Sequence, residues 1–149
     1  MVRRYRFYIF LFVLLCANLL LVHRTFSQNH QRSVADTVQN KLTLDLAVMC
    51  EEVKEKDKTP INQAIVFPIK IGKVSCFSMF DPVPEKTFIY HKWFHKDTPS
   101  TNKRLTLQPP RWATYSSIQL RETDKGPWRV EISDRKGNLL YILRFSITD

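Results

Sequence analysis

Residues 86–96 read KTFIYHKWFHK, and this stretch decides the fold class. More than half of its side chains are β-branched or aromatic, and it contains neither glycine nor proline, which favours an extended strand. Side chains alternate between the two faces of a strand. One face then carries His91, Trp93 and His95, and the other carries Phe88, Tyr90, Lys92 and Phe94. Because both faces carry aromatic rings, the alternation does not indicate which face meets solvent.

The same period of two recurs on both sides of this stretch. Apolar residues alternate with other residues in the segments 42–50, 65–71, 74–80, 112–120, 128–132 and 139–147. About eight short strands, joined by turns and with no helical pattern between them, predict an all-β fold. We predict an antiparallel β-sandwich of immunoglobulin-like size, because Pro68, Pro109 and Pro110 require edge positions that a closed barrel lacks.

The N-terminus is predicted to be an apolar helix that targets the chain to a membrane. Arg3, Arg4 and Arg6 precede an uncharged run over residues 7–22. This run is slightly long for the core of a cleavable signal and slightly short for a spanning helix, which needs about 20 residues. Both interpretations stay open, and we favour an uncleaved anchor because no Ala-x-Ala pattern is present.

Three parts follow from these patterns. They are a signal peptide or membrane anchor over residues 1–27, a polar linker over residues 28–41 and a β-sandwich domain over residues 42–149. Arginines concentrate before the apolar run, which keeps the N-terminus in the cytoplasm. The β-domain is therefore expected on the other side of the membrane.

Two cysteines fall in the predicted domain. Cys50 and Cys76 both lie in phase with the apolar face of their strands. Disulfides persist in oxidising compartments outside the cytoplasm, so we predict a bridge between them. The alternative is a pair of buried free thiols that behave as small hydrophobic side chains.

The charge distribution indicates an acidic partner. The chain has a formal net charge of +9, and residues 82–129 hold nine basic against four acidic side chains. A local basic surface suits phosphate, acidic sugars or lipid headgroups, although scattered lysines also serve solubility alone. Nucleic acid is not predicted, because the domain leaves the cytoplasm and has no groove-reading motif.

No catalytic or metal-binding motif is present. The chain has three glycines, so it lacks a glycine-rich phosphate loop, and no serine lies in a Gly-x-Ser-x-Gly turn. On a strand, His91 and His95 are about 13 Å apart, whereas zinc ligands each lie about 2.1 Å from the ion. We predict no enzyme activity, no cofactor and no metal site.

Five residues are the predicted ligand-binding set: His91, Trp93, His95, Arg111 and Trp112. A row of imidazole, indole and imidazole on an outer strand face would let flat ligands stack. The Arg111-Trp112 pair follows two prolines, and both residue types are favoured interface anchors. The alternative is that the tryptophans belong to the core and the histidines form local hydrogen bonds.

From Ala47 to Phe145 the chain resembles the bacterial family called domain of unknown function 2914. The resemblance rests on residues 49–53, 74–77, 84–86, 90–94, 107–112, 114–116 and 126–132, with Pro60, Gly137 and Phe145. It implies a β-domain of the bacterial cell envelope, and it implies no particular activity. It also makes His91, Trp93, Arg111 and Trp112 the positions expected to share either a site or a core.

These inferences predict a non-catalytic, extracytoplasmic binding domain. Its expected ligand is a glycan or another cell-envelope component, and its expected location is the bacterial inner membrane facing the periplasm. If residues 1–27 are cleaved, the domain is periplasmic or secreted. The alternative function is a protein-interaction or scaffold domain of an inner-membrane complex.

Overall fold

The structure is a computed structural model that describes residues 41–149. Nine strands occur in these residues: β1 (Leu44–Lys54), β2 (Thr59–Gln63), β3 (Val66–Pro68), β4 (Lys73–Phe80), β5 (Thr87–His95), β6 (Thr98–Leu107), β7 (Trp112–Gln119), β8 (Gly126–Ser133) and β9 (Leu139–Thr148). Two short 3₁₀ turns, Ile69–Ile71 and Glu122–Asp124, complete the regular structure. The predicted N-terminal helix, and the linker as far as residue 40, lie outside the described residues. Within residues 41–149, no helix has the length and apolar character needed to cross a bilayer.

The strands form two sheets, which confirms the all-β prediction and is consistent with a β-sandwich. The four-stranded sheet has the order β2-β1-β4-β7, and the five-stranded sheet has the order β3-β9-β8-β5-β6. Every described pair is antiparallel except β3 with β9, which is parallel, so the wholly antiparallel prediction needs this correction. The parallel pair arises because the chain leaves β2 and crosses to the other sheet. As Pro68 predicted, β3 is an edge strand.

One hydrophobic core joins the two sheets. Buried residues of the four-stranded sheet, including Val74 and Phe80, belong to the same cluster as Trp93, Val130 and Phe145 of the five-stranded sheet. The rings of Trp93 and Phe145 meet edge to face, with centroids 6.0 Å apart. Aromatic pairs of this kind add roughly 0.5–1.5 kcal/mol beyond their buried area.

A bulge in β1 reverses the faces that the sequence pattern predicted. The pairing of β1 with β4 shifts register between Leu44 and Leu46. Leu44 packs against the main core, but beyond the bulge it is Met49 that enters this core. Leu46, Val48 and Cys50 instead join a second cluster around Phe77 on the opposite face of the sheet. An extra residue in one strand moves every following side chain to the other face.

The same bulge explains why the structure does not support the predicted disulfide. Cys50 and Cys76 are both buried free thiols. Cys76 lies opposite Met49 in the main core, whereas Cys50 lies opposite Ser75 on the other face. Their side chains leave the sheet in opposite directions, and a disulfide requires Cβ atoms about 3.5–4.5 Å apart.

Strand β6 includes a segment whose sequence is typical of a loop. Residues 98–102 read TPSTN, yet only Lys96 and Asp97 form the turn, with φ angles of 46° and 64°. This two-residue connection lets β6 pair with β5 from Thr98 onward. Asn-Gly and Asp-Gly are the usual signals for such a turn, and Lys-Asp is not among them.

Candidate functional site

The two faces of β5 have different environments. His91 and Trp93 are 0% exposed and point into the space between the sheets. The side chains on the opposite face are partly exposed: Phe88, Tyr90, Lys92 and Phe94. The face that carries the predicted imidazole–indole row is therefore the inner face, so neither His91 nor Trp93 lies where a ligand outside the sandwich touches it.

A buried polar network links His91 and Trp93 to the four-stranded sheet. His91 Nε2 lies 3.0 Å from Ser78 Oγ, and His91 Nδ1 lies 2.9 Å from Ser116 Oγ. Trp93 Nε1 donates to Ser116 Oγ at 3.0 Å. Each neutral tautomer of the imidazole satisfies both serine contacts, because a hydroxyl either donates or accepts. The network holds β5 against β4 and β7.

Burial also fixes the protonation state of His91. Loss of hydration lowers the pKa of His91 to about 3, because the charged imidazolium has no carboxylate among its described partners. A neutral, enclosed imidazole between two hydroxyl groups serves packing and register. General acid–base catalysis near neutral pH would instead need an accessible group with a pKa near the working pH.

Of the other three predicted residues, His95 ends β5 in the five-stranded sheet, whereas Arg111 and Trp112 are consecutive residues at the start of β7 in the four-stranded sheet. His95 stacks on Trp128, with centroids 4.5 Å apart, and its Nε2–H donates to the carbonyl of Lys125 at 3.1 Å. Trp112 is partly buried against the main core. Arg111 is exposed, with its guanidinium nitrogens 3.6 Å from Asp81 and 3.9 Å from Asp45. The five predicted residues thus form no common surface.

An aromatic and basic surface covers the outer face of the five-stranded sheet around β5. We call it the aromatic face and define it by Phe88, Tyr90, Lys92, Phe94, Arg104 and Arg129. Arg104 lies directly across from Tyr90 on β6, and Arg129 lies directly across from Phe94 on β8. Directly paired residues share a face, so all six side chains project to the same side of the sheet.

Two arginines stack on two phenylalanines within this surface. The Arg104 guanidinium carbon lies 3.9 Å from the centroid of Phe88, and that of Arg129 lies 4.0 Å from the centroid of Phe94. Tyr90 meets Phe88 edge to face at 5.5 Å. The side chains therefore hold one another in place before any ligand arrives.

The two arginines differ in their charge partners. Arg129 binds Glu131 through Nε at 2.9 Å and Asp97 through Nη1. Within residues 41–149, neither Arg104 nor Lys92 forms an ion pair. Arg144 of β9 lies directly across from Arg129, so two cations and two carboxylates balance near Phe94, whereas the cations between Phe88 and Lys92 have no anion bound to them within residues 41–149.

A buried hydroxyl group adjoins this charged end. Ser133 lies directly across from Tyr90 on β8, on the side opposite Arg104. It is 2% exposed, and its Oγ has no hydrogen-bond partner within the described part of the chain. A buried hydroxyl without a partner is uncommon in folded proteins.

The sequence indicated part of this surface. The alternation on β5 correctly placed Phe88, Tyr90, Lys92 and Phe94 on one face of the strand, but it did not indicate that this face, and not the opposite one, meets solvent. Arg104 was missed because no sequence signal predicts which residue of β6 lies across from Tyr90. Within residues 41–149, no group of three or more His, Cys, Asp or Glu side chains is arranged to hold a metal ion.

Comparison with known proteins connects this part of the chain to one family. No curated protein matches the chain. Residues 86–147 match the family described as "Protein of unknown function (DUF2914)". The match begins at the residue before β5 and ends within β9, so it contains every residue of the aromatic face. This match supports the family resemblance that the sequence indicated, and it covers the part of the chain from β5 to β9.

Proposed function

We propose that the domain is a non-catalytic binding module of the bacterial cell envelope. It is held at the outer face of the inner membrane, or released from it if residues 1–27 are cleaved. Its ligand is a glycan or another envelope component. The observation that carries this proposal is the aromatic face, on which three aromatic rings and three cations share one side of a sheet.

The sheet supports this role because it fixes the spacing of the rings. Alternate residues on a strand are about 6.6 Å apart, so Tyr90 lies between Phe88 and Phe94 on a nearly linear row. Sugars have apolar faces that stack on aromatic rings such as that of Tyr90, on which no arginine of residues 41–149 stacks, and hydroxyl groups that bind charged side chains. Cation–π contacts already order the phenylalanines and arginines, which lowers the entropy that a ligand must remove on binding.

The inward orientation of His91 supports a non-catalytic role. This imidazole is enclosed, neutral near pH 7 and engaged by two serines. The groups that do face outward on the aromatic face are rings and cations, together with Glu131, whose carboxylate binds Arg129. Such a set suits recognition of a ligand more than proton transfer.

The test replaces aromatic side chains that are open to solvent. Tyr90→Ala is expected to weaken retention on envelope polysaccharide at least tenfold, with an unchanged far-ultraviolet circular dichroism spectrum. Tyr141→Ala is the matched control, because Tyr141 is 50% exposed and lies on β9, outside the aromatic face. Equal retention of the native chain and the Tyr90→Ala variant would remove the basis of the proposal.

The second candidate function is a scaffold domain of an inner-membrane complex. One observation favours it: β9 exposes two large apolar side chains on one face near its beginning, those of Leu139 and Tyr141. Exposed apolar side chains of this size mark protein interaction sites when they act together.

The same variants separate the two functions. If the scaffold role is correct, partner capture from solubilised membranes falls with Tyr141→Ala and survives Tyr90→Ala. If partners are recovered only when residues 1–27 are present, the membrane anchor contributes to the complex. A partner that is captured equally by both variants would argue against the scaffold role of β9.

A further inference from the structure

We infer that the ligand of the aromatic face is an acidic polysaccharide, whose carboxylate or phosphate group binds between Arg104 and Lys92. This inference rests on the proposed binding function and narrows its ligand class. It follows from where the positive charge of the face is free and where it is already neutralised.

The two Arg–Phe pairs provide an internal comparison. Arg129 stacks on Phe94, and two carboxylates, those of Glu131 and Asp97, bind its guanidinium. Arg104 stacks on Phe88 in the same way, but no carboxylate of residues 41–149 binds it. The same stacked geometry thus occurs at Arg129 with carboxylates of the protein bound to the guanidinium, and at Arg104 without them. At Arg104, the anion that binds the guanidinium comes from the ligand.

Stacking leaves the donors of Arg104 accessible. A guanidinium that packs against a ring uses its flat face, whereas its five N–H donors lie in its plane. Planar N–H donors match the two oxygens of a carboxylate or phosphate. Because the ring of Phe88 restricts the side chain, Arg104 loses less conformational freedom on binding an anion than a free surface arginine would.

Lys92 supplies a second cation within reach of the same anion. Arg104 faces Tyr90 across the strands, and Lys92 is two residues further along β5, which places their Cα atoms about 7–8 Å apart. Glu131 lies directly across from Lys92, but its carboxylate binds Arg129 at 2.9 Å. Both long side chains can therefore contact one anionic group above Tyr90.

The charge pattern also gives the ligand a direction. An acidic group is attracted to the end between Phe88 and Lys92, whereas at the end near Phe94 the two carboxylates offset Arg129 and Arg144, which lie directly across from each other on β8 and β9. A second acidic group placed there would meet Asp97, which is 92% exposed. An alternating polymer of acidic and neutral sugars would satisfy both ends of the face.

The test uses pairs of polymers that differ only in charge. Binding of the full-length chain is measured for polygalacturonate and its methyl ester, and for phosphomannan and its dephosphorylated form. We expect at least tenfold tighter binding to the acidic member of at least one pair. Preference in the first pair identifies a carboxylate ligand, and preference in the second pair identifies a phosphate ligand.

Three variants show whether the charge acts at this position. Arg104→Gln and Lys92→Met are each expected to lower affinity for the acidic polymer at least tenfold while circular dichroism stays native. Lys54→Met removes one charge from exposed Lys54 of the four-stranded sheet and is expected to change affinity less than twofold. An equal loss in Lys54→Met and Lys92→Met would overturn the inference, because general electrostatic attraction would explain it.

The outcomes separate this inference from the proposed function. If the native chain binds acidic and neutral polymers equally and the Tyr90→Ala variant binds neither, the inference of an acidic ligand is wrong and the proposed glycan-binding function stands. Absence of binding to all four polymers and to envelope polysaccharide would overturn both.

Discussion

The orientation of β5 predicts opposite consequences for neighbouring substitutions. Trp93 is 0% exposed in the main core, whereas Phe94 is partly exposed on the aromatic face. Trp93→Ala is therefore expected to destabilise the fold strongly, and Phe94→Ala weakly. The two positions are adjacent in sequence, so local strand propensity does not account for the difference.

The magnitude for Trp93 follows from its burial. A tryptophan side chain buries about 200 Å², and about 25 cal/mol per Å² gives an upper limit near 5 kcal/mol. Residual burial of the alanine and compactness of the unfolded chain reduce this value, and the cavity raises it, so we expect about 3–5 kcal/mol. Ser116 keeps its contact with His91 after the loss of the indole, so no buried hydroxyl is left unpaired.

The magnitude for Phe94 is smaller because its ring is already in contact with water. Phe94→Ala removes the stacking of Arg129, which lies 4.0 Å from the ring centroid. An exposed cation–π contact contributes roughly 0.5–1 kcal/mol, and we expect a total loss of about 1 kcal/mol.

Urea unfolding of the full-length chain, followed by circular dichroism, measures both values. With a slope of about 1–3 kcal/mol per molar urea, Trp93→Ala lowers the midpoint by roughly 2 M and Phe94→Ala by well under 1 M. Trp93→Phe is a useful control, since it keeps most of the buried area and loses only the bond to Ser116. A midpoint for Trp93→Ala that equals that of Phe94→Ala would refute the assigned orientation of β5.

Two further predictions concern buried ionisable groups. Burial lowers the pKa of His91 to about 3, so between this value and about 6.5 the unfolded chain binds more protons at His91. His91 should therefore not change the free energy of unfolding above that range, and at pH 5 it should lower the free energy of unfolding by about 2 kcal/mol. A His91 ring-proton resonance in the native protein that titrates near pH 6.5 would contradict this prediction. Burial raises the pKa of the Cys50 thiol to about 11 and raises that of Cys76 further. Both thiols should resist alkylation in the native chain, and both should be alkylated once the chain is unfolded in the absence of a reductant. If mass spectrometry of the unfolded chain instead shows a mass two hydrogens below that of the free-thiol form, with Cys50 and Cys76 unmodified, the disulfide is present.

The sequence predicted those parts of the fold that depend on local alternation. The apolar phase of β8 (Trp128, Val130 and Ile132) appears in the structure as a continuous buried face. Here one face is apolar and the other carries charged residues, so the pattern has a single interpretation. All-β architecture followed from the repetition of such segments.

Other parts depend on contacts between distant residues. The bulge in β1 changes which side chains enter the core, and it is defined only by the pairing with β4. The inward orientation of His91 depends on Ser78 and Ser116, which lie on two other strands and supply its hydrogen bonds. Neither serine is distinguishable from a surface serine until the register of the sheets is known.

The orientation of β5 itself bears on the function. The inner face of β5 buries Ile89 and Trp93 together with His91, and the outer face carries Lys92 between the rings of Tyr90 and Phe94. This orientation keeps the lysine in water, but it buries an imidazole and leaves two phenylalanines partly exposed. Each of these exceptions is locally stabilised: serines bind the buried imidazole, and arginines stack on the phenylalanines. Natural folds break the rule of apolar interior and polar surface mainly where a surface has a role of its own. Arg104 stacks on Phe88, and no carboxylate of residues 41–149 binds it, so a free charge lies beside a partly exposed ring. The proposed anionic glycan would contact both the charge and the ring.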